Sequence, residues 1–350
     1  MTTEDEYRLL MQNVVMQAPS GPILDMYAKA WTQVQAHDRI FAAISGGSDS
    51  RIMMHMLYHL DPEKKVTYGY FDTGMEYEAT KRHLSELEEL YGVEIQRIPP
   101  VLPIPTTCRK YGIPFWSKHV SECMYRLQKH GFQWEDEPFE VLLKRYPDCK
   151  SALMWWCDAK PKLKNGGLGA LNISYTPWLK EFIIKNPPRF RISAKCCSKA
   201  KKEPAAKYIA ANDFDLSVQG VRKAEKGVRS QTYTSCFTPN KNGAADEYRP
   251  LFWLTDADKQ EYKDHYGLRY SDCYEVWGMT RTGCPGCPFG KNFDQELELM
   301  QQYEPKFYKA ALNIFGPAYE YTREYLAYRA KRNQESKAER LREGEGDNAN

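Results

Sequence analysis

The first hundred residues alternate short apolar runs with longer stretches whose apolar positions recur at helical spacing. Ile23, Met26, Tyr27, Ala30 and Trp31 recur at that spacing, so residues 1–36 are read as an N-terminal helical segment. The run "RIFAAIS" (39–45) stops at glycines, the pattern of a buried parallel strand, and "SRIMMHMLYHLD" (50–61) returns to helical spacing. A second strand, "KVTYGYFDT" (65–73), leads into the amphipathic helix "EYEATKRHLSELEELYG" (76–92), closed by Gly92, and then a third strand, "VEIQRIP" (93–99). Strands and helices alternating at this pace predict βαβ units. The expected fold is α/β, an open and mostly parallel sheet with helices on both faces.

The rhythm breaks after residue 100. Residues 101–190 contain many prolines and a helical piece around "SKHVSECMYRLQKHG" (117–131), and are read as a large insertion or lid. The α/β pattern resumes with "AKCCSKAKKEPAAKYIAAN" (194–212) as a helix and "FDLSVQGVR" (214–222) as a fourth strand. The expected organisation is a core in two parts, 37–100 and 191–292, followed by a helical extension, 293–350, ending in a polar tail.

Composition bounds the class more than it names it. With 350 residues, 42% hydrophobic and 27% charged, the chain reads as a soluble globular protein, and a net charge of +3 is too mild to argue for nucleic acid by itself. No apolar run reaches the ~18 residues of a membrane span, and the acidic start "MTTEDEYRLLMQ" lacks the form of a signal peptide. A cytoplasmic location without a membrane partner is therefore expected. Ten cysteines in a reducing compartment are expected as metal ligands, catalytic thiols or core residues rather than disulfides.

Candidate chemistry begins where the first strand ends, at Ser45-Gly46-Gly47-Ser48-Asp49-Ser50. Glycines between a strand and a helix let a ligand approach the backbone, and the helix N-terminus offers unpaired N–H groups and the positive end of its dipole to phosphate oxygens. The spacing fits neither a Walker loop nor a dinucleotide fingerprint, and on the local pattern alone an ordinary glycine turn would look the same. Ser-Gly-Gly-x-Asp-Ser nevertheless resembles the pyrophosphate-loop (PP-loop) motif of the adenine nucleotide α-hydrolase superfamily. That family cradles the phosphates of ATP or of an adenylyl phosphosulfate, so the resemblance implies that Ser45, Gly46, Gly47, Ser48, Asp49 and Ser50 bind nucleotide.

Further segments resemble the sulfonucleotide reductases of the same superfamily. Asp72-Thr73-Gly74 with Thr80 is similar to the signature that phosphoadenosine phosphosulfate (PAPS) and adenosine phosphosulfate reductases carry beside the nucleotide, although Glu78 stands where they usually have proline. Gly220, Arg222 and Arg229 are in register with their Gly-x-Arg-(x)6-Arg motif. Arginine forks suit sulfate and phosphate oxygens, while a solvated basic helix would also account for this segment taken alone.

Cys196-Cys197 and Cys284-Pro285-Gly286-Cys287 supply four soft ligands, a set that suits zinc or an iron–sulfur cluster. Adenosine phosphosulfate reductases, and some PAPS reductases, bind [4Fe–4S] through such a pair and a later Cys-x-x-Cys. The resemblance thus implies Cys196, Cys197, Cys284 and Cys287 as cluster ligands, with Cys273 an alternative to one member of the tandem pair. The isolated cysteines read as buried core residues, and the histidines as surface or structural residues.

The reductases also use a nucleophilic cysteine in a short C-terminal segment, and this sequence has no cysteine after Cys287. An internal thiol such as Cys108 or Cys236 would have to replace it. The preferred expectation is a PAPS-reductase-family enzyme that binds ATP or a close analogue with Mg²⁺, transfers AMP to an acceptor oxygen and releases pyrophosphate. Sulfur transfer would be coupled to the [4Fe–4S] cluster. Asp49 is expected to position the metal or phosphates, and Arg222 and Arg229 to stabilise charge on the transferring group. Expected partners are the adenosine nucleotide, a sulfur-donor or electron-donor protein, further copies or subunits and, on analogy alone, a nucleic-acid acceptor. The alternatives are a true reductase releasing sulfite and a non-catalytic nucleotide-sensing subunit.

Overall fold

The computed structural model describes residues 17–163, 166–225, 233–240, 244–289 and 293–346. In chain order the strands are β1 (Ile40–Ala43), β2 (Val66–Phe71), β3 (Ile95–Ile98), β4 (Leu216–Gln219), β5 (Phe237–Thr238) and β6 (Asp246–Tyr248). The helices are α1 (Gly21–Ala36), α2 (Ser48–Leu60), α3 (Glu78–Tyr91), α4 (Ile104–Tyr111), α5 (Lys118–Lys129), α6 (Phe139–Arg145), α7 (Lys150–Trp156), α8 (Leu179–Lys185), α9 (Glu203–Ala211), α10 (Asp256–His265), α11 (Phe293–Tyr303) and α12 (Pro305–Gly346), with short turns of helix at Lys195–Cys197 and Asp272–Glu275.

The sheet has the order β3-β2-β1-β4-β6-β5, parallel throughout except for the antiparallel β5–β6 pair. Side chains alternate across β1 as a strand requires. Ile40, Ala42 and Ile44 join α1, α2 and α3 through Tyr27, Met53, Leu57 and Leu84, while Phe41 packs on the opposite face with Phe214 and Tyr208. Each such large apolar side chain contributes roughly 1.5–3 kcal/mol when fully buried. The fold is therefore α/β with a mostly parallel sheet covered on both faces, as its periodicity predicts. Of the expected N-terminal helical segment, residues 1–16 lie outside the described residues, and α1 covers the remainder from Gly21.

The chain divides into two compact units, Met1–Pro103 with Lys199–Pro285, and Ile104–Ser198 with Gly286–Asn350. The sheet lies wholly in the first. The second has its own aromatic core, in which Phe115, Trp155, Trp156 and Phe182 meet Tyr321 and Tyr325 of α12. The Tyr325 hydroxyl donates to the Pro177 carbonyl (2.8 Å) and that of Tyr321 to the Asn186 carbonyl (2.6 Å), so these buried phenols are paired and fix the helix against its neighbours. Among the described residues, no helix is long and apolar enough to cross a membrane.

Candidate functional site

Strand order reverses between β1 and β4, which pair in register from Ile40–Leu216 to Ala43–Gln219. Open α/β sheets hold ligands outside the carboxyl ends of the strands at such a point. The chain leaving β1 there forms the loop predicted to bind phosphate. Gly46 adopts φ +70°, and Gly47 then starts α2, its carbonyl accepting from Arg51 N (3.0 Å) and Ser50 Oγ (2.9 Å). The Ser45 hydroxyl accepts from Gly47 N (3.3 Å) and donates to Ser50 Oγ (3.2 Å), which ties the loop to itself. The first N–H groups of α2 have no intrahelical acceptor and point out of its N-terminus.

Two glycines sit at close approaches to the loop, and at Gly46 the approach excludes a side chain. A Cβ on Gly46 would lie 2.5 Å from Thr80 Cγ2, and one on Gly220 would lie 3.3 Å from the Asp49 carbonyl carbon and Ser50 N. Thus Thr80 and Gly220, from two separate predicted motifs, both abut the loop.

The charges converge on Asp49. Its Oδ1 is 3.0 Å from Arg222 Nε and 2.8 Å from Lys259 Nζ, and Lys259 also donates to Ser48 Oγ at 2.6 Å. Arg222 is almost fully buried; it donates to the Leu254 carbonyl (3.4 Å) and pairs with the exposed Asp256 (2.8 Å). Burial, and then the Asp49 carboxylate beside it, pushes the Glu225 carboxyl above its ordinary range. Arg229, the second predicted arginine, lies outside the described residues. Lys259 joins the site without having been expected there. For Lys259 the available signal was negative: the loop sequence contains no cation.

After β2, Asp72-Thr73-Gly74 forms a turn in which Gly74 N donates to Asp72 Oδ1 (2.9 Å). Glu76 folds back over it, its Oε1 accepting from Thr73 N (2.9 Å) and from the Thr73 hydroxyl. Glu76 is 8% exposed, and its Oε2 is buried without a hydrogen-bond partner. Burial, with a further contribution from Asp72, pushes its carboxyl from 4.5 up to about 7. A raised carboxyl pKa favours the fold fully below the unfolded value, and the benefit is lost as pH rises through the folded value. Wild-type stability relative to Glu76→Gln is therefore expected to fall by up to about 3 kcal/mol between pH 4.5 and pH 8. Urea midpoints of both proteins across that range measure it, and parallel curves would show that the Glu76 carboxyl titrates alike in the folded and unfolded chain.

The cysteines separate by unit. Cys273 is fully buried, with Sγ 3.9 Å from Thr80 Oγ1. Cys284 follows Thr282, whose hydroxyl lies 2.9 Å from the Tyr274 hydroxyl over Gly47. In the second unit Cys196 is hydrogen-bonded to Cys108 and Cys197, with Cys287 within electrostatic reach; the bond to Cys108, together with burial, pushes the Cys196 thiol up. Helix α4, which carries Cys108, packs on the Lys195–Cys197 turn. Arg191 Nη2 bonds the Lys110 carbonyl (2.6 Å), and Ile113 bridges Ile192, so the two segments are joined beside these thiols. Cys108 was not among the expected ligands. Among the described residues no group of three or more His, Cys, Asp or Glu is arranged to hold a metal ion. By donor chemistry, however, these gathered thiols fit a soft metal or an iron–sulfur cluster. His55 reads as structural: burial pushes its imidazole down to about 3, and Nδ1 lies 2.7 Å from the Tyr262 hydroxyl.

No protein-family model matches the chain, and no curated protein matches it. Solved structures do. One is the phosphoadenylyl-sulfate (PAPS) reductase from Candida auris in its phosphate complex, 12% identical with a TM-score of 0.40, covering 81% of this chain and 96% of that one. Another is the U34-tRNA thiolase NcsA from Methanococcus maripaludis with its [4Fe-4S] cluster, 11% identical with a TM-score of 0.33, covering 87% of this chain and 80% of that one. Likenesses this distant assign no activity to the chain.

Proposed function

We propose that the chain is a PP-loop enzyme of the PAPS-reductase type that binds an adenosine nucleotide by its phosphates and cleaves ATP between the α- and β-phosphates, in a reaction coupled to sulfur transfer. The observation that carries this reading is the charge arrangement at the start of α2. Two cations, Arg222 and Lys259, meet one carboxylate oxygen of Asp49 beside unpaired backbone N–H groups at the strand ends. A polyanion suits that arrangement, because cations and N–H groups can act together on its oxygens.

In the proposed reaction an acceptor oxygen attacks the α-phosphorus, the bond to the β-phosphate oxygen breaks, and pyrophosphate leaves with that electron pair. The acceptor's proton passes to a base. The N–H groups and hydroxyls of residues 48–50 hold the phosphates, while Arg222 and Lys259 stabilise charge growing on the leaving group. Asp49 aligns both cations, and Mg²⁺, where bound, would share in neutralising the phosphates. Cys108, Cys196, Cys197 and Cys287 of the second unit would hold a [4Fe–4S] cluster, which would supply sulfur or electrons to the acceptor chemistry. A nucleic-acid acceptor remains an analogy.

A turnover panel on anaerobically purified, cluster-loaded protein tests the proposal. Pyrophosphate release from ATP, lost in a Ser48→Ala/Asp49→Ala double variant, is the expected result. Sulfite release from PAPS or adenosine phosphosulfate would replace it with a reductase. Tight nucleotide binding without turnover on any substrate would leave a sensing subunit.

A further inference from the structure

The phosphate loop has no cation of its own. Residues 44–50 offer three serine hydroxyls and the Asp49 carboxylate, and Arg51 just beyond is 4% exposed and turned away to the Tyr91 hydroxyl. A helix N-terminus alone supplies about half a positive charge. Holding a ligand with several phosphate charges requires a cation from elsewhere in the chain.

Lys259 comes to that position from α10. Its Nζ lies 2.6 Å from Ser48 Oγ and 2.8 Å from Asp49 Oδ1, the first two residues of α2. The helix carrying it is fixed at both ends of the relevant turn. Thr255 caps it reciprocally with Asp258, and Tyr262, three residues after Lys259 and fully buried, bonds the Tyr27 hydroxyl (2.7 Å) and His55 Nδ1 (2.7 Å). Lys263, one turn further, is taken up by Glu275 at 2.9 Å and does not serve the loop. Asp49 Oδ1 is shared with Arg222, which also pairs with the exposed Asp256, so Lys259 holds only part of the Asp49 carboxylate.

We propose that Lys259 is the cation of the phosphate loop, gripping ligand phosphate oxygens at the start of α2 while Ser48 and Asp49 hold its ammonium in place. The inference rests on the phosphate-binding reading of the loop and deepens it by naming the residue that meets the ligand's charge.

Calorimetric binding of inorganic pyrophosphate and of ATP to the full chain tests it. Lys259→Ala is expected to weaken both on the order of 10- to 100-fold, as loss of a charged hydrogen bond does. Lys259→Arg should recover most of that affinity, and Lys263→Ala should bind as wild type. Adenosine, which lacks the phosphates, should bind Lys259→Ala and wild type equally. If Lys259→Ala does not fold, Lys259→Met keeps the aliphatic stem and carries the same comparison. Equal pyrophosphate affinity in wild type and the alanine or methionine variant would overturn the role of Lys259 and leave the PP-loop reading standing. Absence of pyrophosphate and ATP binding by wild type would overturn both.

Discussion

Replacing Arg222 with leucine is expected to cut nucleotide turnover by roughly 10³-fold, the cost of removing a preorganised charge from a developing anion. The same change should destabilise the fold by about 2 kcal/mol. Arg222 is 5% exposed where the chain leaves β4, and its three guanidinium nitrogens reach Asp49, the Leu254 carbonyl and Asp256. Without it, Lys259 still pairs with Asp49, whose side chain is 17% exposed. The penalty therefore falls below the roughly 3–5 kcal/mol of a fully buried pair broken on one side. Asp256 is the internal control. Its side chain is 82% exposed, so Asp256→Ala should shift stability by less than about 0.5 kcal/mol. Arg222→Lys keeps the charge but loses the fork and should recover activity only in part. Steady-state pyrophosphate release and urea midpoints measure both effects. Near-normal kcat/KM in Arg222→Leu would show the guanidinium to be a strut that never meets the ligand's charge.

The first half of the sheet was legible because β1–β3 and α2–α3 bury their apolar positions on regular periods, and the loop was legible because its glycines sit where strand becomes helix. The rest had physical reasons to stay hidden. Strands β5 and β6 are two and three residues long, and the latter reads Asp-Glu-Tyr, too short and polar to show an alternation. The helix expected over 194–212 is interrupted: Ser198–Lys202 is a π-type turn, and α9 begins at Glu203. Pro204, which has no N–H to give an interior turn, sits at the start of α9, where none is needed. The core of the second unit joins Trp155 and Phe182 to Tyr321 and Tyr325, pairings too distant in sequence for any local period to record. Within the site, Glu76 lies in the acidic run "EYEAT" and Lys259 in the strongly charged "DADKQEYKDH", and both therefore read as solvated surface. Only the folded chain shows that one is buried and the other meets the loop.

Gly46→Ala is expected to lower nucleotide affinity by about 100-fold, because a displacement near 1 Å in a positioning element costs that much. It should also lower stability by about 2–3 kcal/mol. Two causes act together. At φ +70° an alanine pays roughly 1–2 kcal/mol for the left-handed backbone, and its Cβ would lie 2.5 Å from Thr80 Cγ2. Thr80 has little room to yield. It is β-branched on a helix, 5% exposed, beside Cys273, with Leu84 one turn on also bordering Gly46. The loop would have to move instead, carrying the N–H groups of residues 48–50 with it. The double variant Gly46→Ala/Thr80→Ser separates the causes, since serine removes the methyl and keeps the hydroxyl near Cys273. It should regain most of the affinity and about 1 kcal/mol of stability, leaving the backbone strain. Calorimetric ATP binding and urea midpoints on the two single variants and the double complete the cycle. If the double binds no better than Gly46→Ala, the backbone angle alone sets the loop, and the Thr80 methyl has no part in shaping it.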